Sequence, residues 1–284
     1  MESLPVVSFS GHVLDDVTLP YRLQMCLIFF SVQHHSAYPL VIAANRDEFY
    51  QRRTQPASFW PEDNRVLAGK DLEACEPERG CGTWLGVNRN GRLALVTNYR
   101  DPKNIDPQAP SRGHLVSDFL RGTEAPDQYL ENLAPQAHRY NGFNVVVGDV
   151  RQLWYFSNYR PGITKLEPGI HGLSNHLMNT PWPKVKKGKE EFAKVMSGDF
   201  TAGMLFEFLR NEEIAPDDQL PATGIGLERE RALSAMFIKT PNYGSRCSTV
   251  ITVDCEGVVC FTERVFDTRT FAYTQQAFSI QLPS

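Results

Sequence analysis

The chain has 284 residues, of which 42% are hydrophobic and 22% charged. This balance is typical of a globular protein with enough apolar material for a sizeable core. The formal net charge of −4 gives no electrostatic case for binding nucleic acid or an anionic membrane surface. A small molecule is therefore the expected partner, and composition leaves the oligomeric state open.

Cysteine usage favours a reducing compartment. The cysteines are too sparse for a disulfide scaffold, and none forms the Cys-x-x-Cys spacing of zinc or redox motifs. They are Cys26, Cys75, Cys81, Cys247, Cys255 and Cys260. No apolar run approaches the length that a transmembrane helix needs. We therefore expect a cytoplasmic protein with no transmembrane segment and no metal site.

The first 25 residues differ from the rest of the chain. They lack the basic and long apolar regions of a secretory signal, and they carry the acidic pair Asp15-Asp16. We interpret residues 1–25 as a leader absent from the mature chain, either a wrongly assigned start or a propeptide. A retained extension is the third alternative. Residues 26–284 show no linker, so we expect them to form a single domain.

Strand hairpins and helix pairs alternate along the chain. Hairpins are predicted where two apolar runs surround a short polar turn, at residues 26–45, 83–98, 143–158 and 246–266, and residues 271–282 add a further strand. Helical spacing of apolar residues predicts helices that begin near Ser111, Ala125, Lys184 and Thr201. This pattern favours an α+β protein with antiparallel sheets covered by helices.

The pair Met25-Cys26 stands directly before an apolar strand. Removal of a methionine at position 25 would make Cys26 the first residue of the chain. A terminal cysteine carries a nucleophilic thiol and an α-amine whose reference pKa of roughly 7.7–8 lets it accept a proton near neutral pH. The alternative is a buried strand cysteine with no chemical role.

Polar residues cluster where the second apolar run ends, in Ala44-Asn45-Arg46-Asp47-Glu48-Phe49. Arg46 is suited to favour the thiolate of Cys26, and Asp47 to orient the α-amine or a water. The two side chains equally suit a surface ion pair of little consequence. Local sequence does not separate these interpretations.

Six segments resemble, in order, the signatures of the NRDE family, of the transport-and-Golgi-organisation type. They are MCLIFF, AANRDEFYQRR, CGTWLGVNRNGRLALVTNYR, YNGFNVVVGD, GLSNHLMNTPW, and YGSRCSTVITVD with FTER. The resemblance spans Met25 to about Phe266. It implies an αββα sandwich of two antiparallel sheets between helix layers, similar to the N-terminal-nucleophile hydrolases of the choloylglycine and penicillin-acylase kind.

The more distant hydrolase resemblance implies a set of site residues. They are Cys26 as nucleophile, Asp47 beside its amine, Asn98 and Asn175 as oxyanion asparagines, and Arg246 closing the site from a later strand. Asn179 competes with Asn175 for its role. Neighbouring Asn45, Arg46 and Tyr99 are assigned to substrate binding.

The arginine of the second strand departs from the hydrolase pattern. The hydrolases resembled have Arg-Asn-x-Asp, whereas this chain has Ala44-Asn45-Arg46-Asp47, so the arginine is displaced by two positions. A two-residue displacement keeps a side chain on the same face of a strand. Arg46 is therefore expected near the thiol, one residue layer further along.

Two functions follow from the resemblance. The first is a cysteine N-terminal-nucleophile hydrolase of a non-peptide amide or thioester bond in a small amphipathic molecule, which needs no cofactor. The second is a non-catalytic intracellular protein that traffics haem or binds acyl lipids. Because the chain has no Cys-x-x-Cys-His motif, covalent haem attachment is excluded, and haem remains a candidate only as a non-covalently transported ligand.

Overall fold

The strands form two antiparallel sheets, described by a computed structural model for residues 25–283. The first sheet contains β1 (Met25–Val32), β2 (Leu40–Phe49), β11 (Gly169–Leu173), β12 (Tyr243–Val253), β13 (Val258–Phe266) and β14 (Tyr273–Gln281), in the order β11-β1-β2-β12-β13-β14. The expected leader, residues 1–25, lies outside the described residues apart from Met25, whose backbone pairs in β1.

The second sheet has eight strands. They are β3 (Thr54–Trp60), β4 (Asp63–Glu76), β5 (Gly80–Gly82), β6 (Leu85–Asn88), β7 (Arg92–Asn98), β8 (Phe143–Asp149), β9 (Leu153–Ser157) and β10 (Arg160–Lys165). Their order is β10-β9-β8-β7-β6-β4-β3, and β5 pairs with β4 outside this path. The sheet therefore grows by adding antiparallel neighbours, as the predicted hairpins require.

Helices cover the outer face of each sheet. The second sheet is covered by α1 (Gly113–Arg121) and α2 (Pro126–Leu133), and the first by α3 (Pro183–Val195) and α4 (Ala202–Leu209), with a short α5 (Leu227–Ala232) before β12. The four layers confirm the expected αββα sandwich. Within residues 25–283, every helix is too short or too polar to cross a membrane.

Alternating side chains along β1 divide the apolar interior into layers. Ile28 and Phe30 pack between the two sheets, whereas Leu27 and Phe29 pack against α3 and α4. Because all four are buried, β1 reads as a continuous apolar run rather than an alternating one. The same alternation places the Cys26 side chain between the sheets.

The segment from β3 to β5 was not predicted from the sequence. β3 is largely exposed and contains Pro56, both of which are typical of an edge strand and weaken the sequence signal. The β4–β5 pairing places Cys75 opposite Cys81, and these two residues form a disulfide. The chain therefore has one local disulfide among the described residues, rather than a disulfide scaffold.

A glycine in α3 allows the helix to lie close to β1. An added Cβ at Gly188 would lie 2.2 Å from Cζ of Phe29 and 3.0 Å from Sδ of Met236. Gly188→Ala should therefore lower the free energy of unfolding by about 1–3 kcal/mol, because the tightly packed core must shift. Urea unfolding measures this change.

The matched control is a helical glycine with room around it. An added Cβ at Gly203 of α4 lies 3.5 Å from Oγ1 of Thr201, an ordinary contact. Gly203→Ala should leave stability unchanged or raise it by about 0.5–1 kcal/mol through the higher helix propensity of alanine. Equal effects of the two substitutions would contradict the packing assigned to α3.

Candidate active site

The register of β1 and β2 places Cys26 directly opposite Arg46. Side chains that are opposite each other in an antiparallel pair lie on the same face of the sheet. Cys26 and Arg46 therefore both point between the two sheets, where each is less than a tenth exposed. The displaced arginine of the sequence pattern thus lies beside the thiol.

Cys26 opens onto a small cavity of about 30 Å³. Its walls come from both sheets and from the start of α1: Cys26, Arg46, Asp47, Glu48, Asp71, Thr83, Trp84, Val96, Asn98, Ser111, Arg112 and Gly113. A buried water needs about 10–15 Å³, so the cavity has room for about two. Cys26, Asn98 and a water can therefore meet here.

Arg46 is held by two carboxylates and an aromatic ring. Its Nη2 lies 3.5 Å from Oε2 of Glu48 and 3.8 Å from Oδ2 of Asp71. Its guanidinium carbon lies 4.3 Å from the centre of the Trp84 ring. Arg52 binds Asp71 at 2.8 Å and completes a buried network of charges. Arg46 is therefore fixed in place near the thiol.

The thiol is uncharged at neutral pH despite this arginine. Burial raises the pKa of Cys26 to about 12, and the Arg46 charge lowers it by less than burial raises it. The carboxylates of Asp47 and Glu48 raise it further. The effect of desolvation on the thiol pKa is therefore larger than that of the Arg46 charge, so Arg46 does not produce a resting thiolate. A nucleophilic role for Cys26 requires a base that removes the thiol proton.

Asp47 lies on the opposite face of β2, toward the helices, and pairs with Met25 and Ser245. Its Oδ1 accepts a hydrogen bond of 2.6 Å from Ser245 Oγ, and its buried Oδ2 has no hydrogen-bond partner among residues 25–283. Burial raises the Asp47 pKa to about 6, opposed most strongly by the charge of Lys184. The Asp47 carboxylate therefore keeps one oxygen without a hydrogen-bond partner among residues 25–283, near the start of β1.

The two asparagines assigned to the oxyanion lie together but differ in position. Asn98, the last residue of β7, lines the Cys26 cavity. Asn175 donates from Nδ2 to the Asn98 backbone oxygen at 3.1 Å, and its own backbone oxygen accepts from the Arg100 amide at 2.7 Å. Asn175 therefore fixes the backbone at Asn98. Asn179 lies apart, where it accepts a hydrogen bond from the Gly172 amide.

Arg246 lies at a β-bulge in β12 and binds backbone rather than the thiol. Its Nη1 donates to the carbonyl oxygens of Phe49, Tyr50 and Arg52 at 2.9–3.1 Å. These bonds hold the turn that follows β2. The structure therefore places this arginine as a support of the turn that carries Arg52.

Two residues assigned to substrate binding lie away from the thiol. Asn45 faces the helices, and its side-chain amide donates to the carbonyl oxygens of Leu209 and Met236. Tyr99 stacks on Tyr159 with ring centres 3.9 Å apart. Of the three residues so assigned, Arg46 is the one whose side chain lies beside Cys26.

Comparison with known proteins establishes the family. The family model described as Transport and Golgi organisation 2 matches residues 25–268. The Transport and Golgi organization protein 2 homolog of Homo sapiens is 38% identical over 281 residues, which cover 89% of this chain and 100% of that protein. The Drosophila melanogaster protein is 32% identical, covering 84% of this chain and 91% of that protein. The chain belongs to the Transport and Golgi organisation 2 family.

Solved structures include a distant likeness. A mutant of the conjugated bile acid hydrolase from Clostridium perfringens gives a TM-score of 0.41 with 8% sequence identity, over 91% of this chain and 92% of that chain. The family assignment of the present chain rests on the sequence matches, and its αββα architecture on its own strand order and layers.

Two polar residues of this Transport and Golgi organisation 2 family member were not predicted as part of the site. Asp71 comes from β4 of the other sheet and has no local signal near Arg46. Lys184 was predicted only as the place near which a helix begins, but it is 4% exposed and faces Asp47. The helical spacing of Lys184, Gly188 and Phe192 was the signal that could have placed it on the buried face.

No three of the His, Cys, Asp and Glu side chains in the described part of the chain are grouped to hold a metal ion. Both buried free cysteines, Cys26 and Cys247, instead lie next to Arg46 in the interior. Burial raises the pKa of each thiol.

Burial predicts the order in which the free cysteines react with a small neutral alkylating agent. At neutral pH, iodoacetamide should modify exposed Cys255 and Cys260 more than about tenfold faster than Cys26 and Cys247, because the buried thiols are uncharged and shielded. Mass spectrometry of peptides over a time course measures each rate. Alkylation of Cys26 as fast as Cys255 would show that its thiol is accessible as the thiolate.

Proposed function

We propose that the protein is a cysteine N-terminal-nucleophile hydrolase that cleaves an amide or thioester bond in a small amphipathic molecule. The observation that carries this proposal is the arrangement at the start of β1. The Cys26 thiol shares a cavity with Asn98, while Asp47, paired with Met25, keeps a carboxylate oxygen that has no hydrogen-bond partner among residues 25–283. The thiol of Cys26 as nucleophile, Asn98 as oxyanion donor and Asp47 as support for an α-amine are thus grouped at the start of β1.

The first chemical step is acylation of Cys26. The neutral α-amine of Cys26 takes the thiol proton, and Sγ attacks the acyl carbon of the substrate. The resulting oxyanion is stabilised by the side-chain amide of Asn98, and the ammonium then gives its proton to the departing amine or thiol. A base on the same residue fits a thiol whose pKa is raised to about 12, because such a thiol forms no resting thiolate.

The second step is hydrolysis of the thioester at Cys26. A water in the cavity gives a proton to the α-amine and attacks the acyl carbon, which releases the carboxylic acid and restores the thiol. The cavity of about 30 Å³ has room for this water. Burial between the sheets excludes other waters and strengthens the interactions that stabilise charge.

Substrate entry requires the cavity wall to move. Pockets for drug-sized ligands are about 300–1,000 Å³, roughly ten times the space at Cys26 or more. Trp84 and the residues that lead into α1, from Ser111 to Gly113, form part of this wall. The apolar indole ring of Trp84 suits the hydrocarbon part of an amphipathic acyl compound, and Arg46 and Arg112 suit its polar end.

The protonation of the thiol weighs against haem carriage through the Cys26 sulfur. The thiol that would ligate iron is buried and uncharged at neutral pH. A carrier function would therefore use another part of the molecule. Haem titration distinguishes this alternative in the experiment on Cys26 below.

The mechanism requires a chain that begins at Cys26, because an acylated nitrogen is not a base. The family match begins at Met25, the residue before the proposed terminus. Protein made from the full coding sequence in its natural host should therefore have an intact mass that corresponds to residues 26–284. An active protein that retains residues 1–25 would contradict the mechanism.

Cys26→Ser separates a hydrolase from a carrier. Serine keeps nearly the same size but replaces the thiol by a far less acidic hydroxyl, so a hydrolase should lose most of its turnover and its labelling by an alkyl β-lactone. The exposed thiol variant Cys260→Ser is the matched control and should be labelled at Cys26 like the wild type. The thiol mechanism would be contradicted if Cys26→Ser fully restored function in cells that lack the wild-type protein and bound haem and acyl ligands with unaltered affinity.

Asn98→Ala tests the oxyanion donor. The substitution should cost about 2.7–4 kcal/mol of transition-state stabilisation, or roughly 10²–10³ in kcat, without unfolding the protein. Asn88→Ala is the control, because Asn88 is also buried at a strand end but its side chain caps the turn by accepting from the Asn90 and Arg92 amides. This control should lower stability and leave the turnover of folded protein unchanged. Equal turnover of Asn98→Ala and wild type would remove Asn98 from the site.

A further inference from the structure

Lys184 is a buried lysine that the mechanism above does not use. It lies in the first turn of α3, on the face that buries Val185, Gly188 and Phe192. Its Nζ is buried and has no hydrogen-bond partner among the residues described. A buried ammonium without a partner is costly, and a cation at a helix N-terminus opposes the helix dipole. Such local violations are typical of functional positions.

The neighbours of Lys184 are the groups at the start of β1. The charged and titratable groups that face it are Asp47 of β2, Arg100 after β7, Cys26 of β1 and Glu230 of α5. Among the charges around Asp47, that of Lys184 acts most strongly on its carboxyl, and the reverse also holds. Lys184 and Asp47 therefore form a pair of opposite charges beside Cys26.

Three buried polar atoms in this region lack partners in the described structure. They are Nζ of Lys184, Oδ2 of Asp47 and Oη of Tyr243. Met25 lies opposite Asp47, so the start of β1 runs alongside Asp47. An α-amine at Cys26 has two N–H donors and a lone pair, which are the kinds of group that these atoms can bind.

We propose that Lys184 is a positioning residue that seats the α-amine of Cys26 together with Asp47, and that the charge of Lys184 keeps this amine unprotonated. This inference rests on the proposed function, because the α-amine exists only in a chain that begins at Cys26. Asp47 Oδ2 accepts one N–H of the amine. The Lys184 cation opposes a second positive charge, so the amine lone pair remains available to the Sγ proton.

The charge of Lys184 is present at neutral pH. Burial lowers the Lys184 pKa to about 8, and the Asp47 carboxylate is the strongest charge that opposes this decrease. During acylation one proton moves from Sγ to the α-amine, while Lys184 keeps its proton and Asp47 stays ionised. The transient ammonium is stabilised by Asp47, and the repulsion from Lys184 favours transfer of its proton to the leaving group.

The test is the pH dependence of Cys26 acylation by an alkyl β-lactone. In this reaction Sγ bonds to the lactone carbonyl, the ring C–O bond breaks, and the thiol proton passes through the α-amine to the released alkoxide. Lys184→Met removes the charge and keeps much of the length of the side chain. The acid limb of the rate profile should move up by about 1–3 pH units, because the α-amine binds its proton more tightly.

Two variants control for charge and folding. Lys186→Met removes an exposed lysine from the same helix and should leave the acid limb where it is in the wild type. Lys184→Arg keeps a cation and should also keep the limb near its wild-type pH. Urea unfolding of each variant shows that labelling is measured on folded protein, and Lys184→Gln, which also removes the charge, replaces Lys184→Met if the latter does not fold.

The outcomes separate this inference from the proposed function. A wild-type protein that is not acylated at Cys26 contradicts the hydrolase proposal and this inference together. Acylation in the wild type with a Lys184→Met limb at the same pH, slowed by one factor throughout, contradicts this inference alone, because a structural role predicts that pattern. A moved limb in Lys184→Met with unmoved limbs in Lys186→Met and Lys184→Arg supports the positioning role.

Discussion

The pairing of Cys26 with Arg46 across β1 and β2 is the constraint on which the rest of the site depends. It places a thiol and a guanidinium between two apolar sheets. A thiolate or a guanidinium cation is unfavourable there unless an opposite charge or a hydrogen bond compensates it. The guanidinium is matched by Glu48 and Asp71, whereas the thiol responds by staying protonated. A nucleophilic role for Cys26 therefore depends on a base. In the proposed mechanism this base is the α-amine of Cys26, which Asp47 supports from the other face of β2.

The layered fold gives the two sides of β1 different tasks. The face between the sheets holds the thiol, the cavity and Asn98, which are the parts that contact the substrate in the proposed mechanism. The face toward α3 holds Asp47 and Lys184, which lie near the start of β1. Because Cys26 is at the end of β1, its side chain reaches the first face while its nitrogen is supported from the second.

Much of the fold was predictable because its signals are local. The β1–β2 and β6–β7 hairpins consist of apolar runs around short polar turns, and the expected strand pairs are those observed. Cys26, Asp47 and Asn98 were assigned to a site because the segments that contain them resemble those of the hydrolases, and these assignments stay predictions. β3 gave no such signal, because an exposed edge strand with a proline lacks apolar alternation.

The parts of the site that sequence did not predict depend on long-range packing. Asp71 lies near Arg46 only because the two sheets face each other. Arg246, at the bulge of β12, donates hydrogen bonds to backbone carbonyls of the turn that follows β2. Lys184 has the clearest physical consequence. With Lys184 and Asp47 both ionised, their charges cancel, and a neutral α-amine adds hydrogen bonds without adding charge. In the proposed mechanism an ammonium there would leave one uncompensated buried charge, so the arrangement that seats the amine would select its basic form.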